Sequence, residues 1–151
     1  MRALIRSSSH GNGISVFDYS TRDGGDGVIA KMSEVPEGIA RLERELAGIG
    51  WYGSRLGVGI DDLVAYQHFS ESYARVNIRK FVGRQVCYRD SFARNYSYLE
   101  RCVGHYCDVW PQGEDVPVHG DLTLDNVIFS DQDVRFFDWE HYTDEPHPWG
   151  F

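Results

Sequence analysis

Four side chains near the carboxyl end of the sequence have the types and the spacing that a metal-assisted phosphoryl transfer requires. They are His119, Asp121, Asn126 and Asp138, arranged as H-x-D-x-x-x-x-N with a further Asp at the end of the next hydrophobic strand. Such a transfer needs one carboxylate to orient the attacking hydroxyl, and an amide oxygen with a second carboxylate to hold Mg²⁺ on the phosphates. We therefore expect Asp121 to act as the catalytic base, and Asn126 and Asp138 to act as magnesium ligands.

The same residues also have a structural explanation. An isolated His-Gly-Asp is most often a turn with a capping Asp. That explanation loses force when Asn126 and Asp138 are counted together, because each falls at the edge of an apolar strand and their side chains can converge on one ion. His119 is expected to support the loop and not to act on the substrate.

The stretch from Val116 to Trp139 resembles the catalytic half of aminoglycoside phosphotransferases and choline-kinase-like enzymes. His119-Gly120-Asp121 stands where these enzymes write HGD and protein kinases write HRD, and Phe137-Asp138-Trp139 is similar to the family's strand-end Asp-Trp. The resemblance implies an α+β, protein-kinase-like fold with two lobes, a nucleotide-binding lobe at residues 1–83 and a catalytic lobe at residues 84–151. It also implies ATP as the donor, Mg²⁺ as the cofactor, and as acceptor the hydroxyl of a small molecule such as an aminoglycoside, an amino alcohol or a sugar.

The first half contains a lysine that the resemblance assigns to the nucleotide. Lys31 follows the apolar run Val28-Ile29-Ala30 and is similar to the strand-three lysine that pairs with nucleotide phosphates. In the family a helix glutamate holds this lysine, and Glu43 and Glu45 are the two candidates for that role. Periodicity cannot decide between them, because they flank opposite sides of one apolar stripe. Arg44-Glu45 looks more like the family's Arg-Glu pair, so we choose Glu45.

A second nucleotide candidate is the loop Ser9-His10-Gly11-Asn12-Gly13. Gly11 and Gly13 would let backbone N–H groups approach phosphates closely. The loop departs from G-x-G-x-x-G, and a plain β-turn is an equal alternative. An adenine is expected against a hinge near Phe81 to Gly83.

Hydrophobic patterning predicts five strands in the first half, with one helix between the third and the fourth. The strands are expected at residues 3–5, 14–17, 28–32, 63–69 and 74–82. The loop at residues 7–13 and the stretch at residues 21–27 are expected to be turns. The helix is expected from about Pro36 to Ile49, with Gly50 ending it. This order predicts a five-stranded antiparallel sheet with one helix.

The second half is predicted to contain one amphipathic helix followed by the catalytic loop and two short strands. The helix is indicated by an apolar stripe with spacings of four and three, formed by Phe92, Tyr96, Leu99, Val103 and Tyr106.

The net charge of −8 lies entirely in the second half of the chain. Residues 1–83 contain ten Lys/Arg and ten Asp/Glu, whereas residues 84–151 contain five and thirteen. Nucleic acid or an anionic membrane would require a basic surface, so neither is expected as a partner. An odd number of cysteines without a secreted framework, and the lack of about 20 consecutive apolar residues, predict a cytoplasmic protein without a membrane span.

Only residues 139–151 follow Asp138, and Pro146 and Pro148 disfavour a further helix there. Because the resembling enzymes have several more helices, we expect the helical lobe to be truncated. Apolar surface left uncovered would favour self-association as a homo-oligomer. The alternative function is therefore a non-catalytic module that binds nucleotide or pairs with another subunit, although the intact site residues argue against loss of activity.

Overall fold

The computed structural model of this chain describes residues 2–9, 11, 13–21, 27–86, 92–113 and 116–147. Within these residues the chain is α+β, as the sequence predicted, and its paired strands are antiparallel. The chain divides between Lys80 and Phe81 into two compact units.

The first unit combines a sheet with a long helix. Its strands are β1 (Arg2–Ser9), β2 (Ser15–Thr21), β3 (Val28–Ser33), β4 (Val64–Phe69) and β5 (Ala74–Arg79), and its helices are α1 (Pro36–Leu56) and the single turn α2 (Ile60–Leu63). The strands form one sheet in the order β1-β2-β3-β5-β4. Apolar residues of β3, β5 and α1 supply most of its core, which includes Ile14, Val28, Ala30, Ile39, Leu42, Ile49, Tyr52, Val64, Ala74 and Val76.

Helix α1 is about two turns longer than predicted. It continues through Gly50 to Leu56, and its C-cap residue Gly57 has a φ of 71° and donates its N–H to the carbonyls of Gly53 and Ser54. A glycine inside a helix costs about 1 kcal/mol relative to alanine, which is less than the packing that Tyr52 gains by burial at 3% exposure. The predicted end at Gly50 was therefore wrong.

Two strand predictions also differ from the structure. Residues 7–9, expected in a turn, belong to β1 and pair with β2. Strand β5 ends at Arg79 and does not continue to Val82. The turn predicted at residues 21–27 falls largely on residues 22–26, which lie outside the described residues.

The second unit contains more sheet than predicted. Its elements are β6 (Arg84–Gln85), α3 (Phe92–Val109), β7 (Val116–Val118), a 3₁₀ turn (Leu124–Asn126), β8 (Val127–Phe129), β9 (Val134–Phe136) and β10 (Thr143–His147). Among the described residues β6-β8-β9 form one sheet and β10-β7 another. The sequence predicted one helix and two short strands after it. Strands of two or three residues escape detection because the hydrophobic alternation needs more residues to be visible.

Helix α3 is confirmed, but three members of the predicted stripe lie on its exposed side. Tyr96, Leu99 and Val103 are 52%, 36% and 53% exposed. The packed face instead presents Tyr98 to Phe129 and His105 to Phe136, each with ring centroids 4.9 Å apart. Both sets of residues recur with helical spacing, so periodicity alone could not tell which of them faces the core.

Candidate active site

His119 is fully buried and is bonded at both ring nitrogens. The backbone N–H of Asp121 donates to Nδ1 at 3.3 Å, and Nε2 lies 3.0 Å from the carbonyl oxygen of Phe137. Because a neutral imidazole has one donor and one acceptor, this network assigns the proton to Nε2, which donates to Phe137. Burial lowers the pKa of His119, and this effect outweighs the opposing hydrogen bond and the nearby carboxylates. The neutral ring therefore joins the backbone of Asp121 to the backbone of Phe137.

Phe137 is held by hydrogen bonds at both of its backbone polar groups. Its carbonyl accepts the bond from His119, and its N–H donates to the carbonyl of Asn126 at 3.1 Å. The next residue, Asp138, has a φ of 65°. A non-glycine residue in this left-handed region is uncommon, and aspartate tolerates it better than most. The two bonds to Phe137 fix the backbone that leads into Asp138, two residues after the end of β9.

Asn126 binds Asp121 through its side-chain amide nitrogen. Nδ2 donates to the backbone carbonyl of Asp121 at 2.7 Å and to the carboxylate Oδ2 at 3.2 Å. The 3₁₀ turn that positions it is closed by the N–H of Asn126, which donates to the carbonyl of Thr123 at 3.0 Å. Since Nδ2 is engaged with Asp121, the amide oxygen Oδ1 is the atom that Asn126 can offer to a cation.

Gly120 allows the loop at residues 119–126 to approach the segment after β9. Its φ is +87°, and a Cβ built on it would overlap the backbone oxygen of His141 and lie 2.7 Å from the Cβ of His141. Only glycine satisfies both the left-handed backbone and the lack of space. The glycine of the His-Gly-Asp motif is thus explained by packing against a segment twenty-one residues later in the chain.

An aromatic cluster supports this loop, and the sequence did not predict it. Trp139 is 1% exposed, and its ring centroid lies 4.3 Å from that of His119, 5.9 Å from that of Trp110 and 6.2 Å from that of Tyr142. Trp110 donates its Nε1–H to the carbonyl of Pro117 at 2.9 Å, just before the loop at residues 119–126. Buried tryptophans usually find such a partner, but a carbonyl seven residues away is not readable from a sequence pattern.

Two carboxylates of the second unit lie close enough to share a cation. Asp138 and Glu140 each present a carboxylate oxygen, and the two oxygens lie within 4.8 Å of each other. Glu140 also lies 3.5 Å from Nε2 of His141. Two such carboxylate oxygens are ligands of the kind that a hard divalent ion prefers.

The first unit brings Lys31 and Glu45 together. Nζ of Lys31 lies 2.8 Å from Oε1 of Glu45, and the two residues are 9% and 0% exposed. Glu45 is buried because it lies on the same face of α1 as Leu42 and Ile49, three and four residues away. Glu43 is exposed. Of the two glutamates that the sequence left in competition, Glu45 is therefore the one that contacts the lysine.

Of the predicted glycine loop, Gly11 and Gly13 are described, whereas His10 and Asn12 lie outside the described residues. Both glycines are exposed, and Gly13 has a φ of +78°. The position of a phosphate near them stays a prediction. The predicted hinge belongs to the second unit, where a Cβ on Gly83 would lie 2.6 Å from the backbone oxygen of Phe129.

No protein-family model matches this sequence, and no curated protein matches it. In the described part of the chain, the helices lack the combination of length and apolar character that crossing a membrane requires.

Proposed function

We propose that the chain is an ATP- and Mg²⁺-dependent phosphotransferase that transfers the γ-phosphate to the hydroxyl of a small molecule, and that its two units are the lobes of a kinase-like fold. The observation that carries this proposal is the set of bonds joining Asp121, Asn126, His119 and the backbone next to Asp138. Those bonds constrain the residues that would have to act together. A turn that merely capped a strand would need none of the bonds to Phe137.

Asp121 is the group that would accept the proton of the acceptor hydroxyl. It is exposed, so an acceptor can reach its carboxylate, and the amide of Asn126 fixes Oδ2 through a bond of 3.2 Å. A carboxylate held in this way orients a hydroxyl and takes up its proton as the phosphoryl group arrives. His119 acts through position alone, because it is neutral, buried and fully engaged with backbone groups.

The donor set of Asn126 and Asp138, with Glu140 beside it, fits a magnesium ion by its chemistry. When bound, Mg²⁺ would neutralise the charge that develops on the transferred phosphate. Asn126 would supply its oxygen just before β8, and Asp138 would supply its oxygens just after β9. The bonds to Phe137 would keep these two segments in place. Sulfur and imidazole ligands, which softer metals prefer, are not needed by this assignment.

Lys31 is the residue that would pair with the nucleotide phosphates. Glu45 holds its ammonium group at 2.8 Å in a buried position, which limits the conformations of this long side chain. We assign phosphate contacts also to the backbone near Gly11 and Gly13. A cytoplasmic location is part of the same proposal, since millimolar Mg²⁺ and ATP must be available.

The acidic charge of the second half favours a cationic acceptor. Residues 84–151 contain thirteen Asp/Glu against five Lys/Arg, so a positively charged small molecule would be attracted to this half. Aminoglycosides and amino alcohols fit this condition better than neutral sugars. No nucleic acid is expected to bind, for the same reason.

The test combines calorimetry with a panel of acceptors. Mg-ATP should bind the wild-type protein with measurable heat, and at least one aminoglycoside or amino alcohol should stimulate ATP consumption. The Asp121→Ala variant should bind Mg-ATP as the wild type does and transfer no phosphate. Asp131→Ala, which removes an exposed carboxylate of the same unit, is the matched control and should retain full turnover.

Three results would count against the proposal in different ways. The absence of heat and of a thermal shift with Mg-ATP would refute the proposal that the chain is a nucleotide-dependent enzyme. Binding of Mg-ATP with no turnover of any acceptor would support the alternative, a non-catalytic module that binds nucleotide. Equal turnover in Asp121→Ala and in the wild type would refute the role of Asp121.

A further inference from the structure

The hydroxyl of Ser33 joins three segments of the first unit. Ser33 is the last residue of β3 and is 3% exposed. Its Oγ donates to the backbone carbonyl of Gly13 at 2.9 Å and accepts the backbone N–H of Val35 at 3.2 Å. One buried hydroxyl therefore connects the glycine loop, the end of β3 and the residue that precedes α1.

The connection continues into the first turn of α1. Val35 is the N-cap residue of the helix, and its carbonyl accepts the N–H of Ile39 at 3.0 Å. A continuous series of hydrogen bonds thus runs from Gly13 through Ser33 and Val35 to Ile39. Hydrogen bonds in such a series restrain one another, because moving one segment lengthens the bonds to the next.

Two glycines make room for this arrangement. A Cβ on Gly38, in the first turn of α1, would overlap Oγ of Ser33 and lie 2.8 Å from its Cβ, and it would lie 3.2 Å from the carbonyl oxygen of Gly13. A Cβ on Gly13 would overlap Cγ2 of Val35. Gly13, the last residue of the glycine loop, is therefore packed directly on the start of α1, at a distance that larger residues do not permit.

We propose that Ser33 is a positioning residue that fastens the glycine loop to the start of α1, so that the loop and the Lys31–Glu45 pair are set together. This inference rests on the proposed function, because it assigns the loop to the nucleotide. Lys31 lies two residues before Ser33 on β3, and Glu45 lies on α1. The fastening therefore links Gly13, in the loop that we assign to the phosphates, to both elements that hold the ion pair.

The experiment uses two variants that break the fastening by different means. Ser33→Ala removes the hydroxyl, and Gly38→Ala keeps it but places a methyl group where Oγ lies. Gly50→Ala is the matched control in the same helix, because its Cβ would meet only Cδ1 of Ile60 at 3.9 Å. Alanine is the better helix former at both glycine positions, so helix propensity alone would favour Gly38→Ala as much as Gly50→Ala.

Amide hydrogen exchange, measured by NMR, reports the fastening directly. Exchange of the Val35 N–H should accelerate about fivefold in Ser33→Ala and in Gly38→Ala, the ratio expected for one lost hydrogen bond. Exchange of the Lys80 N–H, which donates to Gly27 elsewhere in the same unit, should not change. Gly50→Ala should exchange like the wild type at both positions.

Steady-state kinetics report the consequence for the nucleotide. KM for ATP should rise about fivefold in Ser33→Ala and in Gly38→Ala with kcat within twofold, because the loop would bind ground state and transition state equally. Unchanged Val35 exchange in both variants, or a wild-type KM for ATP in both, would overturn the inference. A wild-type protein that does not bind Mg-ATP would instead overturn the proposed function, and the exchange rates would still decide whether Ser33 fastens the loop.

Discussion

Breaking the buried ion pair between Lys31 and Glu45 should strongly destabilise the first unit. The two charged atoms are 2.8 Å apart, and Glu45 is fully buried. At an effective dielectric constant of about 20, a pair at this distance attracts by about 6 kcal/mol, much of which offsets the cost of removing both charges from water. In Glu45→Ala the ammonium group of Lys31 is still removed from water, but it no longer has the carboxylate that attracts it.

The expected loss for Glu45→Ala is about 4 kcal/mol, the middle of the range for removing one partner of a buried pair. For a chain of this size that corresponds to a fall in Tm of about 8 to 16 °C. The measurement is urea denaturation followed by fluorescence and circular dichroism, with thermal unfolding as a second reading. Glu43→Ala is the control because Glu43 is exposed on the same helix, and it should change stability by less than about 0.5 kcal/mol.

The double variant Lys31→Met/Glu45→Leu separates stability from function. Two apolar side chains of similar volume remove both buried charges, so this variant should recover most of the stability lost in Glu45→Ala. It should nevertheless lack the phosphate partner and show no turnover. Equal stabilities of Glu45→Ala and Glu43→Ala would refute the reasoning, and so would full activity of the double variant.

Three further predictions concern the second unit. Gly120→Ala should lower the free energy of unfolding by about 2 kcal/mol or more, because alanine is strained at a φ of +87° and overlaps His141. The control is Gly104→Ala, whose Cβ would meet no atom of the described residues within 4 Å outside its own helix turn. This control should be neutral or stabilising in thermal unfolding. Burial lowers the pKa of His119. In the unfolded chain this histidine takes up a proton near its ordinary pKa of about 6.5, whereas in the folded protein it stays neutral at that pH. The free energy of unfolding should therefore fall as the pH drops below about 6.5. A His119→Asn variant should lose less stability than the wild type between about pH 7 and 5.5, and parallel curves would contradict this. Leu99→Glu on the exposed face of α3 should weaken any self-association seen by sedimentation, whereas an identical sedimentation profile would exclude that face.

The local part of the site was predictable because its members are close in sequence. His119, Asp121 and Asn126 fall within eight residues, so their spacing alone placed them in one loop. The backbone of Phe137 was not predictable as their meeting point, since backbone donors and acceptors carry no sequence signal. Its role emerges only when β8 and β9 pair and bring the end of β9 to the 3₁₀ turn.

The two longer helices, α1 and α3, show why hydrophobic periodicity predicts that a helix forms better than it predicts which face of the helix is packed. In α1 the stripe could not separate Glu43 from Glu45, because both flank it, and only the direction in which α1 packs on β3 decides the matter. In α3 three residues of the predicted stripe are exposed, namely Tyr96, Leu99 and Val103, and the packed side uses Tyr98 and His105. Aromatic rings with polar atoms count as weak signals in a hydrophobic pattern, yet they bury large areas when a partner ring is available.

Paramagnetic broadening of NMR signals by a manganese complex of a non-hydrolysable ATP analogue tests the central claim most directly. Mn²⁺ replaces Mg²⁺ in oxygen-ligand sites, and it broadens the signals of nearby nuclei. We expect selective loss of the signals of the Asn126 side-chain amide and the Asp138 backbone amide, with the signal of the Asp131 backbone amide retained. Retention of the Asn126 and Asp138 signals while the complex binds elsewhere on the chain would contradict it.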